Sequence, residues 1–471
     1  MQAQQDSGAV PRWPGGCLAF GLMALGSFYA HAQDTQGPQG KLMAYDEDYH
    51  SLAGQPRNGW ERLKYIPVGQ GWLSIGGESR TLYDYREHNG FGRRSTDPHG
   101  YWLQRLRVWA DYHVNTHVRM FGELAAGFVS GLQTRPVKAT DRDPLDVAQA
   151  FVEFSNDSRS PVWRLRAGRQ QIAYAGQRVL DPRDPANSRI SFDAIRLLVN
   201  QPRWSGGLLW GHAVENRTGS FDDRDNRDAP LWGAHAEIPL LAAQPKAALL
   251  ELLYLDSQIE DRSYAGNAAA RDSRQTLSAR LSGGVQAWDY DVELIGQRGH
   301  YGTLDVRAWQ GTAYGGYHFD AAWKPRLGLR LEASSGDRDP NDGQLNTFVA
   351  PYPRAAVFDG GMFSSNVRSF GPELVLQPGE KLWIDLYVLA LQRQSLHDGV
   401  YGASGQLIQA GDANDARNVG VREVVWLKYR FNAFASLDVY MDYTRAGPFL
   451  REGTTRGHDY FYISPYLTLR F

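Results

Sequence analysis

A two-residue alternation of apolar and polar side chains is the sequence feature that most limits how this chain can fold. In the final stretch, "YFYISPYLTLRF", Ile463 and Leu467 fall on one face of an extended strand, whereas Thr468 and Arg470 fall on the other. Comparable runs recur along the chain, and we place candidate strands at 71–83, 101–114, 118–130, 145–155, 161–173, 188–200, 204–215, 230–238, 247–256, 272–283, 286–297, 306–318, 324–335, 366–377, 380–393, 418–431, 434–446 and 458–471. The pattern predicts an all-β protein.

The connections between these strands alternate in length. Short ones such as "NTH" (115–117) and "NA" (432–433) consist of turn-forming residues. Long ones are rich in Asp, Arg, Asn and Gly, and we expect loops at 84–100, 131–144, 174–187, 216–229, 257–271, 336–365 and 394–417. This alternation of short and long connections is typical of a transmembrane antiparallel up-and-down β-barrel of about 18 strands, with short periplasmic turns and long extracellular loops. An even number of strands places both termini on the short-turn side.

The N-terminal stretch indicates which face of the strands meets lipid. Periodicity alone fits a soluble barrel with an apolar interior as well as a membrane barrel with an apolar exterior. Arg12, an apolar run from Cys17 to Ala30 and an A-x-A motif that ends at Ala32 have the order of a secretory signal peptide, cleaved near Ala32. We therefore predict a protein in contact with the lipid of a Gram-negative outer membrane. Its expected parts are a signal peptide (1–32), an N-terminal periplasmic segment (33–70) and a transmembrane β-barrel (71–471).

Composition argues against several other classes of protein. The formal net charge of -2 is not that of a general nucleic-acid binder, and the mean hydropathy of -0.47 is not that of a helical membrane protein. Loss of Cys17, the single cysteine, with the signal peptide would leave no thiol for a disulfide or a metal site. We expect no cofactor and no resident metal. For the acids Asp222, Asp223 and Asp225, a solvated loop is favoured over a Ca²⁺ site.

The polar face of the strands lines a pore if the apolar face meets lipid. This phasing places the following cations inside: Arg80, Arg105, Arg107, Arg164, Arg166, Arg196, Arg280, Arg330, Lys428, Arg430 and Arg470. The expected acidic partners are Glu78, Asp111, Glu123, Glu153, Asp193, Glu332, Asp385 and Asp438. Two roles stay open for the cations. They can pair with the acids in a structural network, because buried charges need partners, or they can form a constriction that binds an anionic substrate.

Three sequence blocks carry a resemblance to a known family. The stretch "RLRAGRQQIAYAGQRVLDPRDPANSRISFDAIRL" (164–197) combines a G-R-Q strand end, a D-P-R-D loop and F-D-x-x-R-L. Together with "SSGDRDPNDGQLNTFVAPYP" (334–353) and "DGVYGASGQLIQAGDANDARNVGVRE" (398–423), it resembles the alginate export family of outer-membrane proteins. The resemblance implies an eighteen-stranded porin whose arginines bind and release the carboxylates of a uronic-acid polymer. Arg169 is the first residue that we expect in this role; strand parity aims it at lipid, and a bulge at Gly168 would turn it inward.

The main functional hypothesis is a channel through which anionic (poly)saccharides such as alginate diffuse. The alternative is an anion-selective uptake porin for small carboxylates or aromatic acids. An adhesin would use the long loops instead, and an outer-membrane enzyme is disfavoured because the loop histidines lack a nucleophile motif: His88, His99, His300 and His397. We also expect the barrel-assembly machinery to recognise the C-terminal Phe471. The substrate, the direction of transport, the gating loop, the oligomeric state and the strand boundaries within 204–318 stay open.

Overall fold

The computed structural model describes residues 40–57, 59–157, 162–241, 247–264, 267–354, 365–402, 405–452 and 457–471. The expected signal peptide, with Cys17 and the cleavage site near Ala32, lies outside the described residues. Among the residues described, no helix has the length and apolar character needed to cross a membrane.

Eighteen antiparallel strands form a closed barrel, in which each strand pairs with the next one in the chain. Their bounds are β1 Gly71–Glu87, β2 Tyr101–His113, β3 Val118–Ser130, β4 Asp143–Ser155, β5 Trp163–Gln170, β6 Phe192–Gln201, β7 Trp204–Glu215, β8 Arg224–Pro239, β9 Leu249–Tyr264, β10 Asn267–Val285, β11 Trp288–Tyr301, β12 Leu304–His318, β13 Arg326–Ser334, β14 Val367–Gly379, β15 Leu382–Arg393, β16 Asn418–Arg430, β17 Ala435–Ala446 and β18 Tyr460–Arg470. Closure joins β18 to β1, with Arg470 opposite Glu78 and Thr468 opposite Arg80. The predicted eighteen-stranded up-and-down barrel is confirmed.

The smaller elements lie between and before these strands. They are the 3-10 helices Ala44–Asp46, His50–Leu52, Gly59–Leu63, Ala175–Gln177 and Gly411–Ala413, the α-helix Pro448–Arg451, and the short strands Ile66–Val68, Gln344–Leu345, Val400–Tyr401 and Leu407–Gln409.

The burial of side chains along each strand is the reverse of that in a soluble barrel. On β2, Arg105 and Arg107 are 1% and 3% exposed, whereas Leu106 and Val108 between them are 43% and 54% exposed. Apolar side chains on the outside and charged side chains on the inside are favourable only where the surroundings of the barrel are apolar. The structure therefore settles the choice that periodicity left open, and the outer surface suits lipid.

The connections lie at two ends, which we call the short-turn end, where β1 begins and β18 ends, and the long-loop end. Two predicted loops are wrong in large part. β8 begins at Arg224 within the expected loop 216–229, and β9 and β10 run through most of 257–271. These strands have 16 and 19 residues, and about 9–11 suffice to cross a bilayer. Their ends extend into water, where both faces are polar and the alternation that identifies a strand is lost.

Loops at the long-loop end fold into the barrel and occupy part of its interior. The segments 171–191 and 335–354 meet there: Leu180 pairs with Tyr352, and the Tyr352 ring packs edge-on against Phe192 at 5.1 Å. On the opposite wall, Phe449 and Leu450 of the 447–459 loop are fully buried against inward-facing aromatic residues of β15, β17 and β18. The core of the protein is therefore built from loops packed on the inner wall.

The N-terminal segment enters the barrel from the short-turn end. This part of the expected periplasmic segment, described from residue 40, places Tyr45 between Phe121 and Phe151 on the inner wall, with ring centroids 5.9 and 5.5 Å away. Further along, Lys64 is fully buried. It lies beside the pair of strands β18 and β1 that closes the barrel, which we call the seam. Its Nζ donates hydrogen bonds to the carbonyl oxygens of Ile75 (2.8 Å) and Phe471 (3.2 Å). Lys64 thus ties the N-terminal segment to both strands of the closing pair.

Replacement of Lys64 by methionine should lower the stability of the barrel by about 1.5–3 kcal/mol, because two charge-assisted hydrogen bonds at the seam are lost while the length of the side chain is kept. The measurement is the heating temperature at which half of the detergent-solubilised protein changes from the compact to the unfolded band on a gel. Lys381→Met is the control, since the exposed Nζ of Lys381 donates to the Phe431 carbonyl at 2.9 Å. Equal losses in the two variants would contradict a special role for Lys64.

Candidate functional site: the charged lumen

The inserted segment 171–191 carries a turn that presents its backbone and one carboxylate to the lumen. The Asp181 Oδ1 accepts a hydrogen bond from the backbone N–H of Arg183 (2.6 Å), and Arg183 has a φ of +59°. The Ile190 N–H donates to the Pro182 carbonyl at 2.8 Å and closes the turn. Because of this local structure, Asp184 points at the strands on either side of the seam.

Two arginines of β1 and β2 hold the turn. Arg80 donates from Nη1 to the carbonyl of Asp184 (2.7 Å) and from Nη2 to those of Pro185 and Ala186 (both 2.9 Å). Arg105 donates to the same Asp184 carbonyl at 2.6 Å and to the Asp184 carboxylate at 2.8 Å. The two side chains therefore clamp an inserted loop, which strand parity alone could not show.

Arg189 completes the surroundings of Asp184. It forms an ion pair with the Asp184 carboxylate, and its Nη1 donates to the Leu42 carbonyl of the N-terminal segment at 2.9 Å. Burial opposes the ionisation of Asp184, but the guanidinium groups of Arg189, Arg105 and Arg80 outweigh it and hold the pKa of Asp184 well below its ordinary value. Burial and the nearby charge of Arg107 lower the pKa of Arg189 to about 10. Positive charge is therefore in excess around this carboxylate.

The ion pairs continue from Asp184 around the seam. Glu78 accepts hydrogen bonds from Arg105 at 2.6 Å and from Arg470 at 2.9 Å. Lys428, which pairs with Asp438 at 3.5 Å, also interacts electrostatically with Asp184. We call the following set the central network: Arg80, Arg105, Arg107, Arg189, Lys428, Arg470, Glu78, Glu123, Asp184 and Asp438. It holds six cations and four carboxylates, an excess of two positive charges.

The central network is in contact with solvent in the lumen. The side chains of Asp184 and Arg470 are 34% and 27% exposed, whereas Glu78 and Glu123 are fully buried beneath them. A solute inside the barrel can therefore approach the exposed members, while the buried acids hold the arginines in position.

The remaining predicted cations lie on the inner face away from the central network. Arg166 pairs with Glu153 at 2.6 Å and Arg330 with Glu373 at 3.0 Å. Arg280 lies between Asp291 and Glu251, and Arg196 donates to the Tyr174 hydroxyl at 3.0 Å. Arg164 is half-buried, and Arg430 is exposed at the short-turn end. For Arg166, Arg280 and Arg330 the geometry is that of a structural ion pair.

The predicted acids of the inner face differ in their partners. Arg119 donates to Asp111 at 2.7 Å, and Gln310 donates to Glu332 at 3.0 Å. Asp385 is buried beside Glu373, on the strand next to it. The sequence did not single out Glu373 or Glu251 as partners, although both follow from strand parity once the register is known.

The expectation that Arg169 turns inward is wrong, and Asp193 is likewise not in the lumen. Gly168 has a φ of +128°, yet the register runs through without a bulge, with Gly168 opposite Phe151 and Arg169 opposite Asp193. A Cβ at Gly168 would approach the Ala150 carbonyl oxygen to 2.3 Å, so glycine serves close strand packing. Arg169 donates to both Asp193 oxygens at 2.9 and 3.1 Å, which offsets the cost of a charge on the outer face.

Sequence reasoning also did not assign Asp184, Arg189 and Tyr45 to the site. Asp184 and Arg189 lie within the block that carries the family resemblance, and the D-P-R-D motif was the available signal. Tyr45 had none. Its hydroxyl donates to the Gln171 carbonyl at 2.7 Å, and the Arg166 guanidinium lies 4.2 Å from its ring centroid. Tyr45 therefore narrows the lumen next to the inserted segment.

Comparisons with known proteins agree with this geometry. The model of a family described as "Alginate export" matches residues 71–463. Among solved structures, Pseudomonas aeruginosa OpdK with vanillate superposes with a TM-score of 0.57 at 12% identity, over 85% of this chain and 98% of that one. P. aeruginosa OpdO superposes with a TM-score of 0.56 at 13% identity, over 85% of this chain and 97% of that one. P. aeruginosa OccK11 (OpdR) superposes with a TM-score of 0.53 at 14% identity, over 86% of this chain and 99% of that one. These identities show a shared fold. A search of curated proteins finds no match.

Arg80→Met should release the inserted turn, because the backbone carbonyls of the turn lose the three hydrogen bonds that Arg80 donates. We expect larger fluctuations of single-channel current than in the unmodified protein. Arg169→Met, on the outer face, should leave conductance and ion selectivity unchanged. The measurement is planar-bilayer recording of both variants, and a selectivity change in Arg169→Met alone would overturn the assignment of inner and outer faces.

Tyr45→Ala should raise the single-channel conductance, because a buried ring is removed from the lumen together with its hydrogen bond to Gln171. Tyr45→Phe removes the hydrogen bond alone and should leave the conductance close to that of the unmodified protein. If Tyr45→Ala conducts no better than Tyr45→Phe, the ring does not limit the current.

Proposed function

Because the chain belongs to the alginate export family and forms an outer-membrane channel, we propose that anionic (poly)saccharides such as alginate diffuse through its arginine-rich lumen. The observation that carries the proposal is the excess of two positive charges in the central network. Family and fold are both of the channel type. The expectation that assembly machinery recognises Phe471 stays a prediction.

The chemistry of the central network suits carboxylates. A guanidinium binds a carboxylate through two parallel hydrogen bonds, a geometry that lysine cannot copy. Arg105 and Arg189 already hold one carboxylate, that of Asp184. A uronate of the substrate would compete with Asp184 for the same guanidinium groups.

The built-in acids also explain how a bound anion would leave. Conduction needs binding that is favourable enough for entry and weak enough for release. Glu78 neutralises part of the positive charge permanently, and the exposed Asp184 would pair again with the arginines when the substrate moves on. A network with no acids would retain a polyanion instead of passing it.

A second candidate, uptake of small aromatic carboxylates, is favoured by one specific arrangement. The Arg178 and Arg330 guanidinium groups lie 5.2 and 5.0 Å from the ring centroid of Tyr314, and Arg330 lies 4.2 Å from that of Tyr387. Cations beside aromatic rings suit an aromatic acid, which carries a carboxylate and a ring. The similar fold of OpdK was solved with vanillate, an acid of this type.

Changes in the charge of the central network should shift ion selectivity in opposite directions. Asp184→Asn raises the excess of positive charge, so anion selectivity and block by oligouronates should both increase. Arg189→Gln should decrease both. We expect the anion selectivity and the block by oligouronates to change by about twofold or more. One charge at roughly 10 Å alters the energy of an anion by about 0.4 kcal/mol even in bulk water. The measurement is the reversal potential in a KCl gradient, followed by titration with oligouronates.

Two controls accompany this measurement. Arg430→Gln removes a cation at the exposed short-turn end and should change selectivity less than Arg189→Gln. A neutral oligosaccharide of matched length should not block the unmodified channel. Cation selectivity of the unmodified channel would refute the proposal, whereas block by aromatic acids without block by oligouronates would favour the second candidate.

A further inference from the structure

The loop between β7 and β8 leaves its own strands and docks on the start of β4. The Phe221 N–H donates to the Leu145 carbonyl at 2.9 Å, and Ser220 forms a parallel bridge with Leu145. The backbone N–H groups of Asp222 and Asp223 both donate to the Asp146 Oδ2, at 2.9 and 3.1 Å. The loop thereby passes over the ends of β5 and β6 at the long-loop end.

Three carboxylates converge where the loop docks. Among the described residues, Asp143, Asp146 and Asp223 each offer an oxygen, and these oxygens lie within 4.8 Å of one another. Asp143 is 5% exposed, and its Oδ1 has no hydrogen-bond partner in the described part of the chain. A buried carboxylate oxygen without a donor is costly. A buried oxygen without a donor, on a carboxylate that lies close to two others, points to a cation.

The cations nearby are engaged elsewhere. Arg169 pairs with Asp193, and Arg217 pairs with Glu215. The charge of Arg169 also acts on Asp146 and Asp223, but within the described part of the chain no cation forms an ion pair with the three acids.

We propose that Asp143, Asp146 and Asp223 bind one Ca²⁺ ion that fastens the loop 216–223 to the rim of the barrel. Ca²⁺ takes six to eight oxygen ligands in a flexible geometry, so three carboxylates, completed by water, suit it better than they suit Mg²⁺, which demands a small octahedron. An affinity of about 10⁻⁴–10⁻³ M is usual for extracellular Ca²⁺ sites. The site shares no residue with the central network and does not depend on the proposed substrate.

Sequence spacing could not identify this site. The expectation of no resident metal rests on the lack of a thiol and on the preference for a solvated loop at Asp222, Asp223 and Asp225. Of these three acids only Asp223 belongs to the cluster. Asp222 accepts a hydrogen bond from the Gly219 N–H, and Asp225 pairs with Arg227. The other two ligands come from β4, about eighty residues earlier in the chain.

Limited proteolysis of the full mature protein in detergent tests the proposal. After treatment with EDTA, trypsin cleavage following Arg217, within the loop, and Arg224, directly after it, is timed with 10 mM CaCl₂ and with NaCl of equal ionic strength. If Ca²⁺ binds only the docked loop with a dissociation constant of about 10⁻³ M, the cleavage rate should fall about tenfold with CaCl₂.

Three variants make the test specific. Asp143→Asn and Asp223→Asn should abolish the protection by Ca²⁺, whereas Asp222→Asn, in the same loop but outside the cluster, should retain it. Asn relieves the repulsion among the acids, so both ligand variants should unfold at least as slowly as the unmodified protein when Ca²⁺ is absent. An equal effect of NaCl and CaCl₂, or full protection in Asp143→Asn, would overturn the proposal.

Discussion

The pairing of arginine with carboxylate across neighbouring strands is the interaction on which the rest of the structure depends. Lipid outside the barrel forces apolar side chains outward and charged side chains inward. An unpaired charge inside would cost several kcal/mol. Arg107 with Glu123 and Arg166 with Glu153 meet this demand between adjacent strands, at 2.8 and 2.6 Å. The pairs make the wall rigid enough to hold what is folded inside it.

Where neighbouring strands do not supply enough acids, the interior supplies other acceptors. Arg80 donates to the backbone carbonyls of the inserted turn, and Arg119 of β3 donates to the Tyr45 carbonyl of the N-terminal segment. The loops and the N-terminal segment are therefore held by the surplus of positive charge on the wall. The same surplus is available to an anionic solute, so the interactions that fold the interior also provide the chemistry of transport.

Strand parity predicts a side chain's face well and its partner poorly. It identified Arg105 and Lys428 as inward-facing because alternation is a local property of an extended chain. It could not predict that Arg105 clamps the turn at Asp184, since the two residues are 79 positions apart. At Arg169 parity pointed outward correctly, and the expected bulge was wrong because the pair with Asp193 removes the need to turn inward.

The sequence by itself determined the strand number, the closed antiparallel order and the identity of the two faces of most strands. Each of these follows from the alternation of apolar and polar side chains and from the lengths of the connections, which are properties of consecutive residues. Only the tertiary structure decided which loops enter the barrel, where Tyr45 and Lys64 lie, and which acids meet at Asp143. Those contacts join segments far apart in the chain, and their energies depend on register and closure, which consecutive residues do not specify.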